Sequence, residues 1–501
     1  MCRIGGTVNY SPDVVAGMLD HQKAGGPDLC KLVTHGNVTL GHCLLSIIGY
    51  QEQPVQQENY VMTYNGTWYD YRDYYPYNNS DTVSLLAHFA KKGTQAIEDV
   101  NGMFAIGLYD VTKNQLHLIV DRFGQKNLYY YHDGDKFAFA SNPGALYPLL
   151  SKKEINTDAL QSYWLLGSVM GEDSILKGIK KVCAGEIVTY DVSGNTLSRN
   201  RYYEPKYIDN AISIVEDLVF DAIDKVKVAD VPIHIFLSGG IDSTLVASRF
   251  ANGDAIHLDS CEKIYAQQAA DMFGVKLKVV NPQDIDVEQS LTDYSLFAGE
   301  PTMAGLIPYI TARDVSRYGR VAITANGADE LFFGYNRMKN IEDGLNGIFR
   351  RTAFQHNPFV KKLGPQFLEL NTYVQFDLNK TLDFSSMAHG VEMRAPFLDH
   401  RLVETATSIP MEYHTKNGNK TILKRMLKKI GFSQQFLDRP KEGFSLSKKP
   451  KDLNRHLDIS WNWVKREGFL NVNEGNLTGR DYEYLRKSSL GFYYWFKAHK
   501  L

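Results

Sequence analysis

The sequence predicts two domains of different class: an α+β sandwich of antiparallel sheets with helices attached, then an α/β domain built on a parallel sheet and closed by a helical C-terminal part. Three observations carry this reading. The first two hundred of the 501 residues are rich in short alternating or β-branched runs punctuated by turn signals. After "NRYYEPKY" strand-like runs alternate with runs of helical period, the pattern of a doubly wound sheet. From about residue 336 onward the chain reads as mainly helical. The domains are therefore set at 1–204 and 205–501. No internal repeat or low-complexity segment interrupts them.

In the first domain, strands are expected in "GNVTLGHCLLSIIGY", "NYVMTYNGTWY", "MFAIGLYDVT", "QLHLIVDRFG" and "KFAFAS", with turns at "HGN", "YNG", "HDGD" and "SGN". Helical periodicity is confined to "PDVVAGMLDHQKA" and "DTVSLLAHFAKKGTQAIEDV". In the second domain the amphipathic helix "NAISIVEDLVFDAIDKVKVA" leads into strand "VPIHIFLS" and then "GGIDSTLVASRFA". Strand "AIHLD", helix "KIYAQQAADMFG", strand "KLKVVN", helix "IPYITARDVSRYG" and strand "RVAITA" follow.

Composition excludes several function classes. The chain is 44% hydrophobic and 22% charged, and 55 basic against 57 acidic residues leave a net charge of −2. That balance advertises no basic field for nucleic acid or anionic membrane, and 30 tyrosines without a basic groove do not supply one. Apolar runs such as "CLLSIIGY" are far shorter than the ~20 residues of a membrane span, and no secretory signal pattern opens the chain. The five cysteines are odd in number, widely spaced and lack a C-x-x-C pair. A disulfide framework and a zinc site are therefore not expected, and a reducing cytoplasm is.

Chemistry concentrates at two strand ends of the second domain. In "FLSGGIDST" two glycines let the backbone turn and expose its N–H groups, while the next helix adds its positive end. Ser238 and Ser243 supply hydroxyls, and such a nest binds phosphate. Asp242 inside an anion site makes sense with a divalent cation, since carboxylate, Mg²⁺ and phosphate assemble together. The rival phosphate loop G-x-x-x-x-G-K-[ST] is excluded, because the chain has no Gly-Lys dipeptide. "VAITANGADELFFGY" repeats the strand-to-glycine-loop pattern and places Asp329 and Glu330 at its tip.

At the other end, "MCRIGG" puts Cys2 where methionine removal would give one residue both a thiol and a free α-amine. Their ordinary pKa values of ~8.5 and ~8 let the amine serve the thiol near neutrality. "TYNGTW" offers Asn65, with a side-chain N–H₂, and Gly66, with an unobstructed backbone N–H, as donors to an oxyanion.

With these motifs the chain resembles the glutamine-hydrolysing asparagine synthetases over nearly its whole length. "SGGIDS", "ANGADELFFGY", "GVEMRAPFLDHRLVE" and "RPKEGFS" carry the likeness in the second domain. "GGPD", "EQPV", "NNSDTV", "NGMFAIGLYD" and "DRFGQKNLYYY" carry it in the first. The resemblance implies an N-terminal-nucleophile amidotransferase sandwich followed by an ATP-pyrophosphatase domain. It implies that Cys2 attacks the glutamine amide, with Asn65 and Gly66 as oxyanion donors, Asp81 on the substrate amine, and Ser46 and Ile47 as further glutamine contacts. Phe236, Ser238, Gly239, Gly240, Asp242, Ser243, Thr324 and Ala325 would bind ATP, Asp242 and Asp329 would hold Mg²⁺, and Lys441 would neutralise charge at the acyl-adenylate. Glutamine, aspartate and ATP are the implied substrates, ATP and Mg²⁺ the cofactors. A homodimer is compatible with the family.

Three positions depart from the family. Leu44 replaces the arginine that meets the glutamine carboxylate. Asn326 replaces a glutamate in the second loop, and Ala304 stands at about the position of an arginine. The reading is thus glutamine-dependent asparagine synthesis, the alternative being a related ATP-dependent amide ligase acting on another carboxylic acid. A non-catalytic binding module is a rival of another class, which retention of Cys2, Asn65, Asp81, Asp242, Asp329 and Lys441 disfavours.

Overall fold

The computed structural model describes residues 2–283, 285–339, 358–439, 447, 449–472 and 474–501. Twelve strands occupy the first two hundred residues: β1 (Arg3–Val8), β2 (Leu29–His35), β3 (Val38–Leu44), β4 (Val55–Gln57), β5 (Tyr60–Trp68), β6 (Gly102–Asp110), β7 (Gln115–Val120), β8 (Tyr129–Asp133), β9 (Lys136–Ala140), β10 (Ile179–Lys181), β11 (Glu186–Asp191) and β12 (Thr196–Arg201). They form two six-stranded sheets, ordered β10-β8-β9-β1-β3-β2 and β12-β11-β7-β6-β5-β4, paired antiparallel throughout. The period-2 pattern turns Ile4, Val8, Leu40 and Phe139 of one sheet toward Val61, Ala105, Leu118 and Val188 of the other, in one apolar cluster. This is the expected antiparallel sandwich.

The expected helices form at Pro12–Gln22 and Asp81–Lys92. A third, Thr157–Leu166, was not legible from periodicity; Asn156 caps it by accepting the Asp158 and Ala159 N–H groups. "HGN" and "HDGD" close hairpins through Gly36 and Gly134 at positive φ. "YNG" is not a turn. Asn65 and Gly66 lie within β5, opposite Ala105 and Phe104 of β6. The strand comes so close there that a Cβ on Gly66 would sit 2.2 Å from the Met103 carbonyl oxygen. Nor are the cysteines all free: Cys30 and Cys43 are disulfide-bonded. They face each other across β2 and β3, a register that their spacing in sequence does not disclose.

The second domain has a five-stranded sheet, with β13 (Ile233–Phe236), β14 (Asp254–Leu258), β15 (Lys276–Val280), β16 (Val321–Ile323) and β17 (Glu392–Arg394) ordered β15-β14-β13-β16-β17. Its four neighbouring pairs are all parallel. The chain winds outward from β13 in one direction and resumes at β16 on its other side, so a topological switch point lies between these two strands. Helices follow or flank them at Ala211–Lys225, Ile241–Ala247, Lys263–Phe273 and Leu306–Ser316, as the sequence predicts. The C-terminal part is helical, ending in Leu453–Arg466 and Gly479–Ala498. Among the described residues no helix is long and apolar enough to cross a membrane.

Buried ion pairs join the two halves. Arg3, next to Cys2, donates to Asp383 at 2.8 Å, and Lys126 reaches the other carboxylate oxygen at 2.8 Å. Burial alone would raise the Asp383 pKa, but Arg3 and Lys126 hold it at about 2. Removing one partner of a buried pair strands the others, typically at a cost of about 3–5 kcal/mol. Asp383→Ala should therefore lower the urea midpoint of the intact chain by that order; an unchanged midpoint would contradict the pairing. Because the folded pKa lies below the unfolded value of ~4, this stabilisation is complete above pH ~4 and drains between pH ~4 and ~2.

Candidate active sites

The first site is a pocket at the start of β1 and the end of β3, against β5. It is lined by Cys2, the loop Leu44–Gly49, Gln51, Gln53, Tyr64, Gly66, Thr67, Asp81, Thr82 and Glu392. Strand β1 delivers Cys2, which is 5% exposed. Its backbone N–H donates to Asn65 Oδ1 at 3.2 Å. Burial pushes the Cys2 thiol up, and the nearby Glu392 and Asp81 carboxylates push the same way, against a hydrogen bond from the Leu45 backbone. A thiol in this setting stays protonated until a base removes its proton.

Asn65 is fully buried, and its Nδ2 has no hydrogen-bond acceptor among the described residues. An unused donor in a dry site is costly unless something else occupies it. Asp81 opens its helix with both carboxylate oxygens engaged, Oδ2 by the Tyr64 hydroxyl (3.1 Å) and the Trp68 N–H (3.2 Å), Oδ1 by the Thr82 N–H (2.9 Å). Burial still lifts its pKa to about 6. Ser46 donates its hydroxyl to the Gly49 carbonyl at 2.8 Å, and Ile47 lies beside it in the wall.

Sequence reasoning missed Glu392. It sits on β17 of the other domain, fully buried, accepts from the Thr67 hydroxyl at 3.0 Å and pairs with Arg394 at 2.5 Å. Its motif, "GVEMRAPFLDHRLVE", is legible in the sequence, but nothing local says that a strand of one domain lines the pocket of the other.

The second site lies at the switch point. Phe236 ends β13, and Thr324 and Ala325 leave β16, which pairs with β13 in register at Ile235–Ile323. Gly239 has φ +92°, and a Cβ there would stand 2.7 Å from the Glu262 carbonyl oxygen, so this turn requires glycine. The Ser238 and Ser243 hydroxyls are 2.9 Å apart, with the Gly240 N–H donating to Ser238 Oγ at 3.2 Å. Thr324 N–H donates to the Arg394 carbonyl at 2.9 Å, tying this loop to β17. Asn326 is half-buried in the loop, whereas Ala304 is exposed.

Asp242 and Asp329 come together as expected, and a residue that sequence reasoning missed joins them. The Lys420 ammonium pairs with Asp242 Oδ2 and, at 2.5 Å, with Asp329 Oδ1. Lys420 is 6% exposed and held at φ +59° just before the helix Thr421–Ile430. Gly334 permits the approach, since a Cβ there would lie 1.8 Å from Asp329 Oδ1. Burial and the neighbouring Asp329 raise the pKa of Glu330 to about 7. Arg439 donates to the Gly239 carbonyl and stacks on Tyr265 and Phe436, 4.2 and 4.0 Å from their ring centres. Lys441 lies outside the described residues.

Two carboxylates converging on one cation position suit a divalent metal. No group of three or more His, Cys, Asp or Glu residues among those described could hold such an ion alone. The donor set therefore fits Mg²⁺ only together with phosphate oxygens and water, its ordinary habit.

Two known families match the chain. Residues 1–203 match the glutamine amidotransferase domain family, and residues 215–367 and 364–472 match the asparagine synthase family. The chain is 26% identical over 538 residues to asparagine synthetase [glutamine-hydrolyzing] 1 of Bacillus subtilis, covering 88% of this chain and 84% of that protein. Asparagine synthetase [glutamine-hydrolyzing] 3 of the same organism is 25% identical over 520 residues, covering 86% and 84%.

Proposed function

Because the chain belongs to the asparagine synthase family and carries a glutamine amidotransferase domain ahead of it, we propose that it makes asparagine from aspartate, with glutamine as nitrogen donor and ATP as the activating substrate. The observation that carries the proposal is the pairing, in one chain, of a buried cysteine beside an unused amide donor with two carboxylates converging at a parallel-sheet switch point.

In the first step the Cys2 α-amine, freed by methionine removal, takes the thiol proton, and Sγ attacks the glutamine amide carbon. Asn65 Nδ2 and the Gly66 N–H stabilise the oxyanion, while Asp81 holds the substrate amine and Ser46 and Ile47 border it. Ammonia leaves, and water releases glutamate from the thioester. At the second site, Phe236, Thr324 and Ala325 flank the nucleotide, and Ser238, Gly239, Gly240 and Ser243 cradle its phosphates. Asp242 and Asp329 would hold Mg²⁺, which when bound neutralises phosphate charge as the acid is adenylated and pyrophosphate leaves. Lys420 is aimed at the same charge. Lys441 is assigned the neutralisation of the acyl-adenylate, whose collapse on ammonia gives the amide and AMP. Ammonia must cross between the sites unprotonated, and a residue of β17 in the wall of the Cys2 pocket supports a path that begins there.

Asp81 must be ionised to hold an amine, so below pH ~6 glutaminase kcat/KM should lose a further factor of about ten per pH unit beyond the fall set by protonation of the Cys2 amine. A profile that does not steepen between pH 6 and pH 5 would remove Asp81 from this role.

A different small carboxylic acid is the second reading, favoured by Asn326 and by the exposed Ala304, at the positions where the resemblance places a glutamate and an arginine. Acid-dependent ATP–pyrophosphate exchange separates the two. Aspartate should stimulate exchange most strongly; strongest stimulation by another acid would select the second reading, and none by any acid would defeat both.

A further inference from the structure

The wall of the Cys2 pocket has an unexpected charge pattern. Its ionic side chains are Asp81 and Glu392, the latter paired with Arg394, and among the described residues that line it none has a cationic side chain. Leu44, 5% exposed in the wall, occupies the position at which the resemblance places an arginine.

Several backbone donors of the wall are already taken. The Ser46 N–H is taken by Asp28 Oδ2 at 2.8 Å and the Gly49 N–H by Asp230 Oδ2 at 2.7 Å. The Leu45 N–H is turned to the Cys2 thiol. The Tyr64 N–H is held by Gln53 Oε1 at 2.8 Å, and Gln53 Nε2 is spent on the Tyr64 carbonyl at 3.2 Å. Arg320 of the second domain pairs with Asp28 at 2.5 Å.

An α-carboxylate placed here would lose its hydration, meet the Asp81 carboxylate and find these donors committed. Burying a charge without a partner is strongly unfavourable. An α-amine, by contrast, meets Asp81.

We infer that this pocket selects its amide by the amine and not by the carboxylate, so that its substrate class is short primary amides bearing an amino group, of which glutamine is one member. The inference rests on the proposed role of Cys2. The chemistry is unchanged: the Sγ–C bond forms, the C–N bond breaks, ammonia leaves with the thiol proton, and water cleaves the thioester to the acid.

The test measures ammonia release by the full chain from glutamine, from 4-aminobutanamide, which is glutamine without its carboxylate, and from butanamide, which lacks the amine as well. The kcat/KM for 4-aminobutanamide should lie within tenfold of that for glutamine or exceed it, and butanamide should be at least tenfold poorer than 4-aminobutanamide. Leu44→Arg should shift the ratio of the first two by at least tenfold toward glutamine, an effect that the wild-type comparison does not depend on. A wild-type preference for glutamine above tenfold, or butanamide used as well as 4-aminobutanamide, would overturn the inference while leaving Cys2 as nucleophile. Failure to cleave any of the three would overturn the Cys2 reading itself and the inference with it.

Discussion

Replacing Cys2 by alanine is expected to abolish glutamine-dependent amide formation, by on the order of 10³-fold or more, the scale on which loss of a nucleophile is felt. Formation from ammonium salt should stay within about twofold. The asymmetry follows from the division of labour, since the thiol only liberates ammonia. No neighbour can replace it. The Thr67 hydroxyl is committed to Glu392, the Tyr64 hydroxyl to Asp81 and the Ser46 hydroxyl to the Gly49 carbonyl. Alanine still allows methionine removal, so only the thiol is lost. Blocking methionine removal should reproduce the defect, because the α-amine would then be tied up in a peptide bond. Amide product is measured with each nitrogen donor. Retained glutamine use would refute the nucleophile, and lost ammonium use in a folded protein would refute the independence of the sites.

Asp242→Asn and Asp329→Asn carry the second large effect. Each should cut acid-dependent pyrophosphate release about 10²–10³-fold, the usual consequence of deleting one preorganised group around developing phosphate charge. Ammonia release from glutamine should persist, because only the second site handles ATP. The geometry makes the two residues a unit: both face the Lys420 ammonium, so losing either leaves an unbalanced pair where the cation must sit. The double variant should accordingly be little worse than each single one, as for residues that act together. Wild-type pyrophosphate release by either single variant would sink the assignment.

Much of this arrangement could be read from the chain, for identifiable reasons. The parallel sheet announced itself because strand and helix periods alternate over short segments, and "SGGIDS" and "ANGADE" lie at strand ends where local geometry decides their form. What failed depends on partners far along the chain. Asn65-Gly66 reads as a turn until β6 is known to lie against it. Cys30 and Cys43 look unrelated until β2 and β3 are in register. Lys420 sits in "NGNKT", whose local signal is only a turn before a helix, and its burial between Asp242 and Asp329 requires three distant segments to meet. Glu392 is the extreme case, a residue of one domain's last strand that lines the other domain's pocket.

The account's central claim is that nitrogen freed at Cys2 becomes the amide of an acid adenylated beyond the domain boundary. The most direct test supplies amide-¹⁵N glutamine, aspartate and MgATP together with an excess of unlabelled ammonium near pH 7, where solution ammonia is largely protonated. The predicted result is ¹⁵N-labelled asparagine matched one for one by AMP and pyrophosphate. Label released from glutamine as free ammonium, with none entering an amide while AMP and pyrophosphate still form, would contradict it.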